Sequence, residues 1–365
     1  MKVHIQLRNE FAKIPVMFVM GTRPQYMKVI ALLNKLKYES LVVDTGQHYD
    51  QNMSKIFLEQ FKFPQVVNLE VGSNTHGAQT AKIIESVEKI LMNMEPALLV
   101  VVGDTNTTMG AAIAASKLHI PIAHIEAGCR AYDRTIPEEI NRVVADTLSS
   151  FLFTASAEHC NNLAIEHQMG KVYWVGDVLL DVLIMHMPYI VKVKTLENLD
   201  IIGPYYVATT HRNWNVDNPI VFKDILKALS DSPYPVIYPI HPRSEKSLRE
   251  NRLEKYIGAD LRIIEPVSYY DMINLMRFSE GVITDSGGVQ REAFYLRKPC
   301  IALKDATPEW NELVTFGATH LAGYKYDNIK KLLNNLPSFP RKKFQPYGNG
   351  DAAEKIAKVI GEFLE

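Results

Sequence analysis

Through the first 150 residues, short runs of apolar and β-branched residues are each followed by a turn residue and then by a helical pattern. "PVMFVMG" precedes "QYMKVIALLNKLK", "SLVVDTG" precedes "NMSKIFLEQF", "ALLVVVGDT" precedes "NTTMGAAIAASKL", and "IPIAHIEAG" precedes a helix expected from Pro137. Strands that alternate with helices pair through crossovers, which gives a parallel sheet covered by helices on both faces. The rhythm loosens through "WVGDVLLDVLIMHMPYIVKVKTLENLDIIGP" and returns in "YYVATTH", "YPVIYPIH", "LRIIEPV" and "EGVITDSGG". The expectation is an α/β chain of two doubly wound domains, 1–178 and 179–349, joined near residues 178–200 with a central cleft between them.

The 365 residues, 47% of them hydrophobic, suffice for two such cores. The formal charge of −1 gives no basic surface for nucleic acid. Runs such as "ALLVVV" fall far short of the roughly 20 residues that span a bilayer. "MKVHIQLRNEFAK" mixes charges into its apolar positions, unlike a signal peptide. Cys129, Cys160 and Cys300 lie far apart without CxxC spacing, which argues against a disulfide framework and against a structural zinc site. A cytoplasmic protein with no nucleic-acid partner, no membrane partner and no metal is expected.

In open parallel sheets, ligands bind beyond the carboxyl ends of the strands. The segments there are "GTRPQ", "DTGQH", "GDTNTT", "HIEAGCR", "TTHRNWN", "IHPRS", "EPVSYYD" and "TDSGGVQREA", nearly all polar or charged. Generic turn chemistry explains any one of them, but not the recurring arginine and histidine, since cations at buried strand ends need partners. In "ITDSGGVQREAF", Ser286, Gly287 and Gly288 stand between a buried strand and a helix, where backbone amides and the helix dipole favour an anion. Taken alone, an SGG turn is more often structural. Glu292 suits ribose hydroxyls or, equally, first-turn capping. Arg23 offers forked hydrogen bonds to phosphate or carboxylate. Asp104 reads as a helix N-cap or an acid/base group, and His211 as a core histidine or a charge stabiliser.

The stretch "AHIEAGCRAYDRTIPEEINR" carries its own question. Pro137, Glu138 and Glu139 fit a helix start, with Asp or Thr ahead of it and acidic side chains opposing the positive helix end. Glu126 is left over, because it follows an apolar run and so belongs to a strand tip.

"GTRPQ", "TGQHYD", "VVGDTNTT", "HIEAGCR…IPEEINR", "TTHR", "IHPRS" and "TDSGGVQREA" occur in the order found in non-hydrolysing UDP-N-acetylglucosamine 2-epimerases, and the chain from about residue 16 to residue 320 resembles that family. The resemblance implies two Rossmann-like domains facing a central cleft, of GT-B type, with a last helix over 350–365 packing back on the N-terminal domain, and a homodimer. It implies a UDP-sugar substrate whose carbon 2 proton is removed while UDP departs from carbon 1, leaving 2-acetamidoglucal. Re-addition of UDP, with a proton delivered to the other face, gives the epimer. The acid/base groups would be Asp104, Glu126 and Glu138, with His211 facing the departing diphosphate. Arg23, Ser286, Gly287 and Gly288 would hold the phosphates and Glu292 the ribose, and Met272 joins the substrate-binding set. No cofactor is implied. Gln47, His48 and His241 match residues with which bacterial relatives bind a second, activating UDP-sugar.

The chain departs from the usual family pattern in three places: "GTRPQ" for "GTRPE", "HRNWN" for "HRxEN", and "KDATPEWNEL" for "RDxTERPE". The last is closer to members acting on UDP-2,3-diacetamido-glucuronic acid. Gln25 and Trp214 therefore either face the sugar or serve as scaffolding. The alternatives to UDP-GlcNAc epimerisation are that uronate, the hydrolysing branch, a GT-B glycosyltransferase and a non-catalytic UDP-sugar-binding regulator.

Overall fold

A computed structural model describes residues 14–47, 63 and 66–365; His48 and the expected "NMSKIFLEQF" helix lie outside them. The chain forms two units, one of residues up to Val182 together with Gln345–Glu365, the other Leu183–Phe344. They divide between Val182 and Leu183, within the helix Val178–Ile190.

In the first unit the strands are β1 (Val16–Met20), β2 (Ser40–Asp44), β3 (Val66–Asn68), β4 (Leu98–Val102), β5 (Ile122–Ala127), β6 (Phe151–Thr154) and β7 (Lys171–Trp174). Every pairing is parallel, in the order β3-β2-β1-β4-β5-β6-β7. "VMFVM" of β1 and "LLVVV" of β4 are wholly buried because helices cover both faces. One face packs Met17, Val19, Leu99 and Val101 against Ile83, Val87 and Leu91 of the helix His76–Met94 and the alanines of the helix Asn106–Lys117. The last helix, Ala352–Leu364, belongs to this unit. The Asp181 carboxylate accepts hydrogen bonds from the amides of Ala352 and Ala353 at 3.3 and 2.8 Å, and Phe363 meets Phe151 edge-on.

The second unit repeats the plan with β8 (Tyr206–Thr209), β9 (Val236–Pro239), β10 (Leu261–Ile264), β11 (Gly281–Thr284), β12 (Cys300–Ala302) and β13 (Thr319–Leu321), all parallel, in the order β10-β9-β8-β11-β12-β13. Strand order reverses between β1 and β4 in one sheet and between β8 and β11 in the other. Such switch points open a crevice at the carboxyl ends of the strands. Among the described residues, no helix is long and apolar enough to cross a membrane, and no cluster of His, Cys, Asp and Glu is arranged to hold a metal ion.

Candidate active site

In the first unit the turns after β1, β4 and β5 converge around the switch point. β5 does not end regularly: its register with β6 shifts between Ile125 and Ala127, and Glu126 stands there at φ +69. A bulge at a strand end re-aims a side chain, and a non-glycine residue holds a left-handed conformation only when its surroundings impose it. The Glu126 carboxylate receives the ammonium of Lys28 at 2.7 Å, both side chains being largely buried. Asp104 follows Gly103, itself at φ +68, and its carboxylate accepts from Arg142 Nη2 at 2.5 Å. Asp104 is not a helix cap: that role falls to Thr105, whose hydroxyl accepts from the Thr108 amide.

Glu138 and Glu139 lie on the first turn of the helix Pro137–Leu148, and their situations differ. Glu138 is half-buried, whereas Glu139 is buried and bonded to the amides of Ala131 and Tyr132 at 2.7 and 3.0 Å and to Arg142 at 3.2 Å. The expected Asp or Thr cap is replaced by Ile136, which has no side-chain cap, and Pro137 takes the first helical position, where an amide proton has no partner to lose.

Gln25 is scaffolding. Its side-chain oxygen accepts from the Gly21 and Thr22 amides at 2.9 and 3.1 Å, and its Nε2 donates to the Val102 carbonyl at 2.7 Å and to the hydroxyls of Thr105 and Thr108. It fastens the turn after β1, which leads into the helix Arg23–Leu33, to the turn after β4. Gln47 accepts from the amide and hydroxyl of Thr107 at 3.0 and 2.8 Å.

In the second unit the buried carboxylate of Asp285 organises the turns after β8 and β11. It accepts from the amides of His211 and Arg212 at 3.0 Å and from Asn215 Nδ2 at 3.1 Å, and it lies 3.3 Å from Nδ1 of the His211 ring. A carboxylate at Nδ1 orients the ring. Ser286 caps the helix Gly287–Tyr295 through a long 3.5 Å bond from the Val289 amide, leaving the glycine amides at the positive helix end. Gly287 has a steric reason: a Cβ there would lie 2.5 Å from Nε1 of Trp310. Trp310 also underlies the Arg291 guanidinium at 3.9 Å, and buried Lys304 lies 3.5 Å from Glu309. Glu292 is buried on the same helix. Met272 lies on the partly buried rim of the apolar core, on the helix Tyr269–Phe278. His241 caps the helix Pro242–Glu250, accepting from the Arg243 amide, and its ring centroid stands 5.3 Å from that of His211. Trp214 lies beneath Arg212, 5.4 Å from guanidinium to ring.

The first unit thus carries Asp104 and Glu126 on the turns after β4 and β5, paired with Arg142 and Lys28, and Glu138 on the first turn of the helix that bears Arg142, while the second carries His211, Ser286, Gly287, Gly288 and Glu292. Sequence reasoning passed over Lys28 and Asp285. Lys28 was visible only as the end of "GTRPQYMK", where no spacing reveals a partner 98 residues away. Asp285 stood inside a segment singled out for its serine and glycines.

The sequence model of the UDP-N-acetylglucosamine 2-epimerase family matches residues 31–361. A UDP-N-acetylglucosamine 2-epimerase of Methanocaldococcus jannaschii is 39% identical over 360 residues, covering 94% of this chain and 97% of that protein. A UDP-2,3-diacetamido-2,3-dideoxy-D-glucuronate 2-epimerase of Pseudomonas aeruginosa is 36% identical over 359 residues, covering 95% and 99%. Among solved structures, the Methanocaldococcus jannaschii UDP-GlcNAc 2-epimerase in complex with UDP-GlcNAc and UDP superposes with a TM-score of 0.88 at 37% identity, over 95% of this chain and 99% of that one.

Proposed function

Because the chain belongs to the UDP-N-acetylglucosamine 2-epimerase family, we propose that it interconverts UDP-GlcNAc and UDP-ManNAc without hydrolysis. A carboxylate takes the carbon 2 proton as the bond from carbon 1 to the UDP oxygen breaks, giving 2-acetamidoglucal and UDP. UDP then re-adds at carbon 1 while a proton is delivered to the opposite face of carbon 2. Asp104, Glu126 and Glu138 are assigned the proton transfers. Arg23 and the turn of Ser286, Gly287 and Gly288 hold the diphosphate, His211 stabilises its developing charge, and Glu292 and Met272 contact the nucleotide-sugar. The observation that carries this reading is Glu126, turned out of its sheet at a left-handed bulge and held 2.7 Å from Lys28. Gln47, His48 and His241 are assigned to a regulatory UDP-sugar site, and the protein is read as a cytoplasmic homodimer. Incubation with UDP-GlcNAc in deuterated buffer, without metal or nicotinamide, tests the reading: proton NMR should show UDP-ManNAc and loss of the carbon 2 proton signal. Free ManNAc would move the chain to hydrolysis, and absence of exchange would refute epimerisation of this sugar.

A second reading is a UDP-2,3-diacetamido-glucuronate substrate. It is supported by the 36% identity to the Pseudomonas aeruginosa protein and by Trp214 beside Arg212, where an aromatic ring in place of a carboxylate leaves a more positive field for an anionic sugar. Competition between the two nucleotide-sugars for one preparation, compared by kcat/KM, decides between them.

A further inference from the structure

His124 stands two residues ahead of Glu126 on β5, wholly buried, and no step above uses it. Its Nε2 lies 2.7 Å from the carbonyl oxygen of Gly103, and its Nδ1 lies 2.6 Å from Oδ1 of Asp146. A carbonyl only accepts, so Nε2 carries a proton. Burial pushes the Asp146 carboxyl up, but His124, Arg130 and the Gly128 amide outweigh it and hold the group below its ordinary value, as a carboxylate. Nδ1 therefore donates as well. The other Asp146 oxygen accepts from the Gly128 amide at 3.0 Å and from Arg130 Nη1 at 2.7 Å, while Arg130 reaches Glu166 through Nε and Nη2.

This buried set fixes three points of the backbone. Gly103 immediately precedes Asp104, and its amide bonds to the Ile125 carbonyl at 2.9 Å. Gly128 follows Glu126 by two residues and closes the bulge. Asp146 lies on the helix that begins with Glu138 and also carries Arg142, the partner of Asp104. We propose that His124 is a positioning residue for the carbon 2 proton transfers, its two donated hydrogen bonds holding the turns of Asp104 and Glu126 and the helix of Glu138 in one relative placement. The kinetic consequence rests on the epimerase reading above; the hydrogen bonding does not.

Asparagine places a donor near Nδ1 and glutamine near Nε2, so His124→Asn and His124→Gln each keep one bond and lose the other; Asp146→Asn removes the charge that both rely on. Each variant is expected to lower kcat for UDP-GlcNAc, and the rate of deuterium entry at carbon 2, by tenfold or more. KM and the Kd for UDP should stay within about twofold. In the histidine-labelled wild type, proton–nitrogen NMR at neutral pH should show one imidazole with both nitrogens protonated and shielded from exchange, absent from His124→Gln. Folded variants with near wild-type kcat, or with UDP affinity falling in step with kcat, would overturn the proposal. So would a wild-type spectrum without that ring, whether or not the variants fold. A wild type that leaves UDP-GlcNAc untouched would sink the substrate reading instead, with the spectrum still deciding the ring's two bonds.

Discussion

Glu126 and Glu139 sit in one motif with the same side chain and do different things. Glu139 is occupied by two backbone amides and Arg142, so it holds the loop before its helix in place; Glu126 is turned toward Lys28 by the bulge. Glu126→Gln and Glu138→Gln should lower kcat by about 100-fold or more, the scale of a lost general acid or base, while calorimetry finds UDP binding unchanged. Glu139→Gln should instead lower the melting temperature, because one buried oxygen becomes a donor facing donors. At Gly287 the expectation is steric. Gly287→Ala puts a methyl group against the Trp310 indole and should weaken UDP binding tenfold or more. Adding Trp310→Leu should recover part of that affinity in the same titration; no recovery would mean that the indole is not the obstacle.

Among the elements, the eight strands expected from apolar runs all form, because a buried parallel strand must be apolar on both faces and so marks itself in the sequence. The short strands β3, β6, β7, β12 and β13, three or four residues each, were not foreseen. β7 is largely exposed as the last strand of its sheet and β3 is at most half-buried, so neither need be apolar on both faces. The last helix was expected only by resemblance, and what fastens it is Asp181. Burial raises the Asp181 carboxyl to about 6, above its ordinary 3.8, despite the two amides it accepts from. A folded-state value above the unfolded one means that folding favours the protonated form. The contribution of this side chain is therefore most favourable below about pH 4 and declines as pH rises through 6. Asp181→Asn cannot ionise, so its melting temperature relative to wild type should be higher at pH 7.5 than at pH 4.5. Thermal scans at the two pH values check this, and a difference independent of pH would mean that Asp181 does not titrate in that window.

For the whole molecule, each unit carries its candidate residues beyond the carboxyl ends of its strands: carboxylates with cations in one, a histidine and a glycine-rich helix start in the other. A homodimer should appear in light scattering at twice the 41.4 kDa chain mass. A species at the chain mass across micromolar concentrations would remove that assignment. Saturating UDP should raise the melting temperature in proportion to the logarithm of its concentration, since a ligand that binds only the folded chain stabilises it by mass action. A melting temperature indifferent to UDP would count against the assigned nucleotide site.

The eight strands marked by apolar runs, the plan of two parallel-sheet units and the family itself follow from sequence alone, since periodicity and contiguous motifs are local properties of the chain. Roles that depend on residues far apart do not. Sequence left Asp104 between cap and acid and Gln25 between ligand and scaffold, and gave Glu126 a role only through resemblance. Folding decided each: Thr105 took the cap, Val102 and the threonines took Gln25, and Lys28, 98 residues from Glu126, took its carboxylate. His124 read as one more residue of an apolar run. Only the approach of Gly103 and Asp146, 21 and 22 positions away, makes it a buried double donor, because a hydrogen bond is set by distance in space and not by separation along the chain.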